Sequence, residues 1–323
     1  MSRHLRLALL ATLLIASPTL ADDKIKIGLS TALTGDGATW GTDLRNALLF
    51  ANKELTNEKY QIIIEDDHCT GKDAVAVAHK LISVDHVKYV FGNCSATVKS
   101  ALPVYDRANV LVFAPIATSP TLSNGFTNIF RSAPSDESNA ALLLDHIKAR
   151  YSSVGVLTEE DDYAQDLTRA FVRNAADGKL AIYTESYLPE NTDLRSVLLR
   201  LKEKKIEALF LNSNSERSFA TILKHIKQLK CGWQIYASYF PGSPTLRKLI
   251  TDDEAEGIIF TDFPSFDDVL RADGKKLVQK FQSQYGAMNS WDITLVTTIE
   301  ALRALDEALN SGTDIKKYLH SRN

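Results

Sequence analysis

Beyond Ala21 no stretch of the sequence approaches about 18 uncharged apolar residues, which excludes a membrane-spanning helix from the rest of the chain. There is no basic stripe, so nucleic acid is not an expected partner. There is no Gly-x-Ser-x-Gly elbow, P-loop or His-Glu-x-x-His, and Gly35-Asp-Gly37 is too short for a phosphate loop. The seven histidines are scattered; His79 and His86 share a helical stretch, but no paired acid stands at metal-ligand spacing. Neither a metal nor a cofactor is therefore expected. Short-period repeats and low-complexity segments are absent, and a hydrophobic content of 45% excludes general disorder. Cysteine is scarce, at three residues, so at least one lacks a partner within the chain.

What is present begins with an export signal. Arg3 and Arg6 precede an apolar run from Leu7 to Ala16 that is too short to span a bilayer. Pro18-Thr-Leu-Ala21 then offers a small residue before a cut at Asp22. Residues 1–21 read as a cleaved signal peptide; an uncleaved anchor is the alternative that the short run argues against. No cysteine stands at the cut, so a lipid anchor is not suggested. Removing Arg3 and Arg6 leaves 35 of the 37 basic residues against 40 acidic ones, a formal charge of −5. About 300 mature residues suit two domains with substantial cores.

Strand-like and helix-like runs alternate along most of the chain, the pattern of βαβ units and parallel sheets. A first series of strands is expected at 24–30, 60–65, 87–91, 110–114 and 128–132. A second is expected at 154–158, 180–187, 206–211, 234–237 and 257–261. Two sheets of this kind make two lobes. Proline-containing segments 131–135 and 261–265 are candidate crossings, and a helical tail, 267–284 and 291–309, is placed back on the first lobe. The expected division is 22–132 with 266–323 for lobe one and 133–265 for lobe two. Cys69 and Cys94 each follow a strand-like run, with one amphipathic helix between them. In an exported protein they form the natural disulfide, leaving Cys231 free. A nucleophilic Cys94 near His68 and His79 is the sharper alternative, and an oxidising compartment argues against it.

At this point the residues resemble a family. The segment 25–35 with Trp40-Gly41, the cysteine-bearing 65–81, Phe91-Gly-Asn-Cys-Ser-Ala-Thr97 and Pro115-Ile-Ala-Thr-Ser-Pro120 follow one another as in type I periplasmic solute-binding proteins, in the branched-chain amino acid group that serves ABC transporters. The resemblance runs from about Lys24 to Leu309. It implies a two-lobed α/β fold, a periplasmic location, a small-molecule ligand held by hinge closure, a membrane permease as partner, a monomeric state and no enzymatic activity. Members usually continue beyond the position of Asn323, so a third crossing and the last strands are expected to be missing. A periplasmic sensor feeding a membrane signalling protein is the runner-up, and an exported hydrolytic enzyme is poorly supported.

The candidate ligand residues are Trp40, Ser95, Thr97, Ala117, Thr118, Tyr163, Asn214 and Tyr239. Ser95 and Thr97 stand at a helix start after a strand, where hydroxyls and free N–H groups suit a carboxylate; Ser95 also reads as a plain N-cap. By resemblance the Ala117 carbonyl and Thr118 hydroxyl meet the ligand's polar head, and Tyr163 and Asn214 (or Ser215) contribute from lobe two. Trp40 is either a pocket wall or a surface cover. Amino acid binders of the group place an acid near 237–242 for the ligand's ammonium, and this chain has Ser238, Tyr239 and Phe240 there. A buried ammonium without a carboxylate is costly, so a ligand without an amine is expected, unless an acid from 159–162 reaches it. That acidic run reads more readily as a solvated loop.

Overall fold

The computed structural model describes residues 24–322 apart from 123 and 177; the expected signal peptide lies outside them. Five parallel strands form the first sheet: β1 (Ile25–Thr31), β2 (Tyr60–Asp66), β3 (Tyr89–Gly92), β4 (Leu111–Ala114) and β5 (Ile129–Arg131), in the order β2-β1-β3-β4-β5. Both faces of this sheet are covered, which is why its central strands read as continuous apolar runs. Alternation still sorts their side chains. Tyr89, Phe91, Leu111 and Phe113 pack with the Ala38–Thr56 helix, whereas Val90, Val112 and Ala114 pack with helices Gly71–Ser83 and Ser95–Arg107.

The second sheet repeats the plan. Its strands are β6 (Ser153–Glu159), β7 (Ala181–Tyr187), β8 (Ala208–Asn212), β9 (Gln234–Ala237) and β10 (Ile259–Phe260). Their order, β7-β6-β8-β9-β10, matches that of the first sheet strand for strand, and every pairing is parallel. In both sheets the order reverses beside the first strand, the topological point at which open α/β sheets bind ligands beyond their carboxyl ends.

The chain passes from β5 to the Asp136–Lys148 helix of the second core, and from β10 back to the first core. There the helices Ala272–Tyr285 and Ile293–Asn310 bury Val278, Phe281, Leu295, Leu302 and Leu305 against β1 and the Ala38–Thr56 helix. The helix expected at 267–284 is two helices, Phe266–Val269 and Ala272–Tyr285, because Leu270 and Arg271 are extended between them. The break lets both Phe266 and Leu270 reach the lobe-one core. The helix Arg195–Glu203 begins at Arg195, whose N–H is taken by the Asp193 carboxylate at 3.2 Å. No helix among the described residues is long and apolar enough to cross a membrane.

Candidate ligand site

The carboxyl ends of the two sheets face each other across a cavity of about 60 Å³. From the first lobe, Trp40 follows β1, Asn93, Cys94 and Ser95 follow β3, and Ile116 and Thr118 follow β4. From the second, Tyr163 follows β6, Asn214 follows β8, and Tyr239 and Phe240 follow β9. Phe263, Trp291, Ile293 and Thr294 complete the lining, which holds six aromatic rings and no charged side chain.

The polar end is built on the Ser95–Arg107 helix. Its first intrahelical bond runs from Val98 N–H to the Cys94 carbonyl at 3.0 Å, so the N–H groups of Ser95, Ala96 and Thr97 have no helical acceptor. Ser95 is not the N-cap. Its Oγ accepts the N–H groups of Thr118 and Ser119, each at 3.1 Å, and so ties the loop after β4 to the helix start. The disulfide between Cys69 and Cys94 anchors the same helix start to the end of β2. Gly41 is required where the Ala38–Thr56 helix passes the end of β1, since a Cβ there would lie 1.6 Å from the Ala32 carbonyl oxygen.

Behind this end lies Asp136, fully buried at the first crossing. Its Oδ2 accepts the Thr118 hydroxyl at 2.7 Å; its Oδ1 accepts the Tyr239 hydroxyl at 2.7 Å and the Asn139 amide at 3.2 Å. Burial raises its pKa to about 6, although these hydrogen bonds and the nearby Arg131 pull the other way. Burial and the Asp136 charge push Tyr239 far above the ordinary phenol range.

The apolar end is a triangle of rings. Trp40, Phe240 and Trp291 have centroids 5.6 to 6.0 Å apart, mostly edge to face. Tyr239 stacks on Phe263 at 4.1 Å. Trp40 is fixed by its Nε1–H, which donates at 3.0 Å to Glu216, a buried carboxylate of lobe two that also accepts Ser243 Oγ at 3.1 Å. Burial raises the Glu216 pKa. A second bridge lies outside the cavity: Asp166 of the Asp162–Asn174 helix accepts Ser119 Oγ, Thr121 Oγ1 and Lys99 Nζ at 2.5, 2.5 and 3.0 Å, all from lobe one.

Of the residues singled out by sequence, Trp40, Ser95, Thr118, Tyr163, Asn214 and Tyr239 meet in this one cavity. Thr97 and Ala117 lie buried outside its lining, and Thr97 Oγ1 donates to the Cys94 carbonyl at 3.0 Å. The acidic run 159–162 is not uniformly solvated. Glu159 is buried, accepting Tyr187 OH, Ser213 Oγ and Asn214 N–H, and Asp161 caps a helix with its pKa raised by burial to about 7. Neither lines the cavity. Trp291, Phe263, Asn93 and Asp136 were missed. Asn93 stands two residues before Ser95 and was within reach of sequence reasoning; Trp291 belongs to the tail, where no local pattern points to a pocket.

Two parallel sheets of one strand order, facing each other across an aromatic-walled cavity and joined by two crossings, define a two-lobed α/β ligand clamp. The sequence matches the periplasmic binding protein family over residues 24–317, and the chain belongs to that family. The Leu/Ile/Val-binding protein of Escherichia coli (strain K12) is 27% identical over 325 residues, 95% of this chain and 85% of that protein. A leucine binding protein from Thermotoga maritima MSB8 superposes with a TM-score of 0.83 at 19% identity, covering 91% of this chain and 87% of that one. A solute binding protein of an ABC transporter from Rhodopseudomonas palustris BisB5, in complex with 3,4-dihydroxy benzoic acid, gives a TM-score of 0.76 at 20% identity, covering 91% and 83%.

Proposed function

We propose that this protein is a non-enzymatic periplasmic receptor that closes on a small organic acid without an amine and hands it to a membrane ABC permease. Residues 1–21 act as its cleaved export signal. Segments 22–132 with 266–323 form one jaw and 133–265 the other, and the clamp works as a monomer. The observation that carries the ligand class is the uncharged, aromatic-walled lining. An ammonium leaving water there finds no direct carboxylate partner, a loss of several kcal/mol. A carboxylate, by contrast, finds the free N–H groups and the Ser95 hydroxyl at the Ser95–Arg107 helix start. The Trp40, Phe240 and Trp291 rings suit an aromatic or branched apolar body.

A thermal-shift screen of the mature chain, 22–323, tests this against aromatic acids, short branched carboxylates, amides and amino acids. Saturating amine-free acids are expected to raise the unfolding midpoint by several degrees. The Ser95→Ala/Thr118→Val variant is expected to fold and to lose the response. A shift confined to leucine, isoleucine and valine would overturn the ligand class, and an unchanged response in the double variant would overturn the site.

A further inference from the structure

Two hydroxyls of the lining, one from each lobe, give their protons to the same carboxylate. Thr118 Oγ1 and Tyr239 OH both donate to Asp136, at 2.7 Å each, and the Asn139 amide donates as well. A hydroxyl has one proton, so with that proton on Asp136 it can only accept from anything else. Ser95 is wired in the opposite sense. Its oxygen accepts two backbone N–H groups, from Thr118 and Ser119, which leaves its proton to be donated into the cavity. The polar end therefore presents a donor set, Ser95 and the helix N–H groups, beside an acceptor pair, Thr118 and Tyr239. Ser95 Oγ lies only 3.1 Å from the Thr118 nitrogen, so the two sets are neighbours.

We infer that Asp136, a positioning residue behind the cavity, makes the site selective for acids carrying a neutral hydrogen-bond donor beside the carboxylate, of which a 2-hydroxy acid is the simplest class. The inference rests on the amine-free acid reading above and narrows it. The acceptor pair asks for a donor. The donor is neutral because Asp136 is already shared among three partners and stands one hydroxyl away from the cavity, so no bare charge meets an ammonium. The one proton of a 2-hydroxyl pairs one acceptor of the pair, whereas an acid lacking the donor leaves both desolvated and unpaired, and sites built this way reject such analogues strongly.

Calorimetric titration with two matched series reads this directly. One is 3-phenylpropanoate, 3-phenyllactate and phenylalanine; the other is 4-methylpentanoate, 2-hydroxy-4-methylpentanoate and leucine. In at least one series the hydroxy acid is expected to bind about tenfold or more tighter than the unsubstituted acid, and the amino acid weakest. In Asp136→Asn the amide NH₂ donates to one of the two hydroxyls and turns its proton into the cavity, so the hydroxy-to-unsubstituted ratio is expected to fall toward one. Should that variant not fold, Thr118→Val/Tyr239→Phe removes both acceptors and is expected to bring the ratio toward one. An unsubstituted acid binding as tightly as its hydroxy partner overturns the inference and leaves the amine-free reading standing. An amino acid binding tightest overturns both. Binding by no member of either series overturns the acid reading and the inference with it.

Discussion

At the residue scale, Asp136 sets function against stability. Burial lifts its pKa from an ordinary 3.8 to about 6, against the pull of Thr118, Tyr239, Asn139 and Arg131; Tyr163 also faces it. Between those two pH values the folded chain holds a proton that the unfolded chain has released. Stability from this group therefore falls as pH rises through the window, by about 3 kcal/mol in all. Asparagine does not titrate. The unfolding free energy of Asp136→Asn relative to the parent is thus expected to shift in the variant's favour by about 2–3 kcal/mol between pH 3.5 and pH 7. Urea denaturation of both proteins across that range measures it, and two parallel curves would refute it. Thr118 and Tyr239 were legible in the sequence because each follows an expected strand at a position that the family resemblance brings to the ligand. Asp136 was not. It opens the Asp136–Lys148 helix among polar residues, and its partners Thr118 of lobe one and Tyr239, 103 positions away, come together on it only in the folded chain.

At the element scale, the alternation of strands and helices gave the architecture, and strand ends read with the family resemblance gave six of the cavity's residues. What stayed hidden is where propensity yields to tertiary contact. The two-residue strand Ile259–Phe260 and the break at Leu270 and Arg271 are set by docking rather than by periodicity. The disulfide belongs to this scale because it ties two elements. It joins the turn after β2, where His68 and Cys69 take positive φ values of 51° and 56°, to the residue before the Ser95 helix. Its sequence separation is 25, and closing such a loop contributes about 3 kcal/mol in the chain-entropy model. Cys69→Ser/Cys94→Ser is therefore expected to lose about that much in denaturant unfolding and to bind ligand more weakly, since Cys94 lines the cavity. Thiol titration of unreduced, denatured protein is expected to find Cys231 alone, and three reactive thiols would contradict the bridge.

At the scale of the whole molecule, binding depends on how firmly the two lobes hold each other, and Asp166 is a link between them outside the cavity. Its side chain is fully buried in lobe two, yet three of its partners, Lys99, Ser119 and Thr121, belong to lobe one. Burial alone would raise its carboxyl. The hydroxyls of Ser119 and Thr121, with Lys99 and Arg169, hold it below the usual carboxylate range instead. A depressed carboxylate contributes above its unfolded pKa of about 4 and fails only as pH falls through the lower folded value. The link thus stays intact across the window in which Asp136 titrates. Contacts made only when the lobes meet bias the equilibrium toward closure, and removing them shifts it toward the open form. Three cross-lobe bonds at about 1 kcal/mol each imply that Asp166→Ala weakens ligand affinity by about 10- to 100-fold. Small-angle scattering of the variant without ligand is expected to show a larger radius of gyration than the parent, and saturating ligand is expected to restore the compact curve. An unchanged affinity together with an unchanged scattering profile would mean that other bridges, among them Trp40 to Glu216, Thr118 to Asp136 and Trp291 to the Tyr239 carbonyl, hold the lobes together without Asp166.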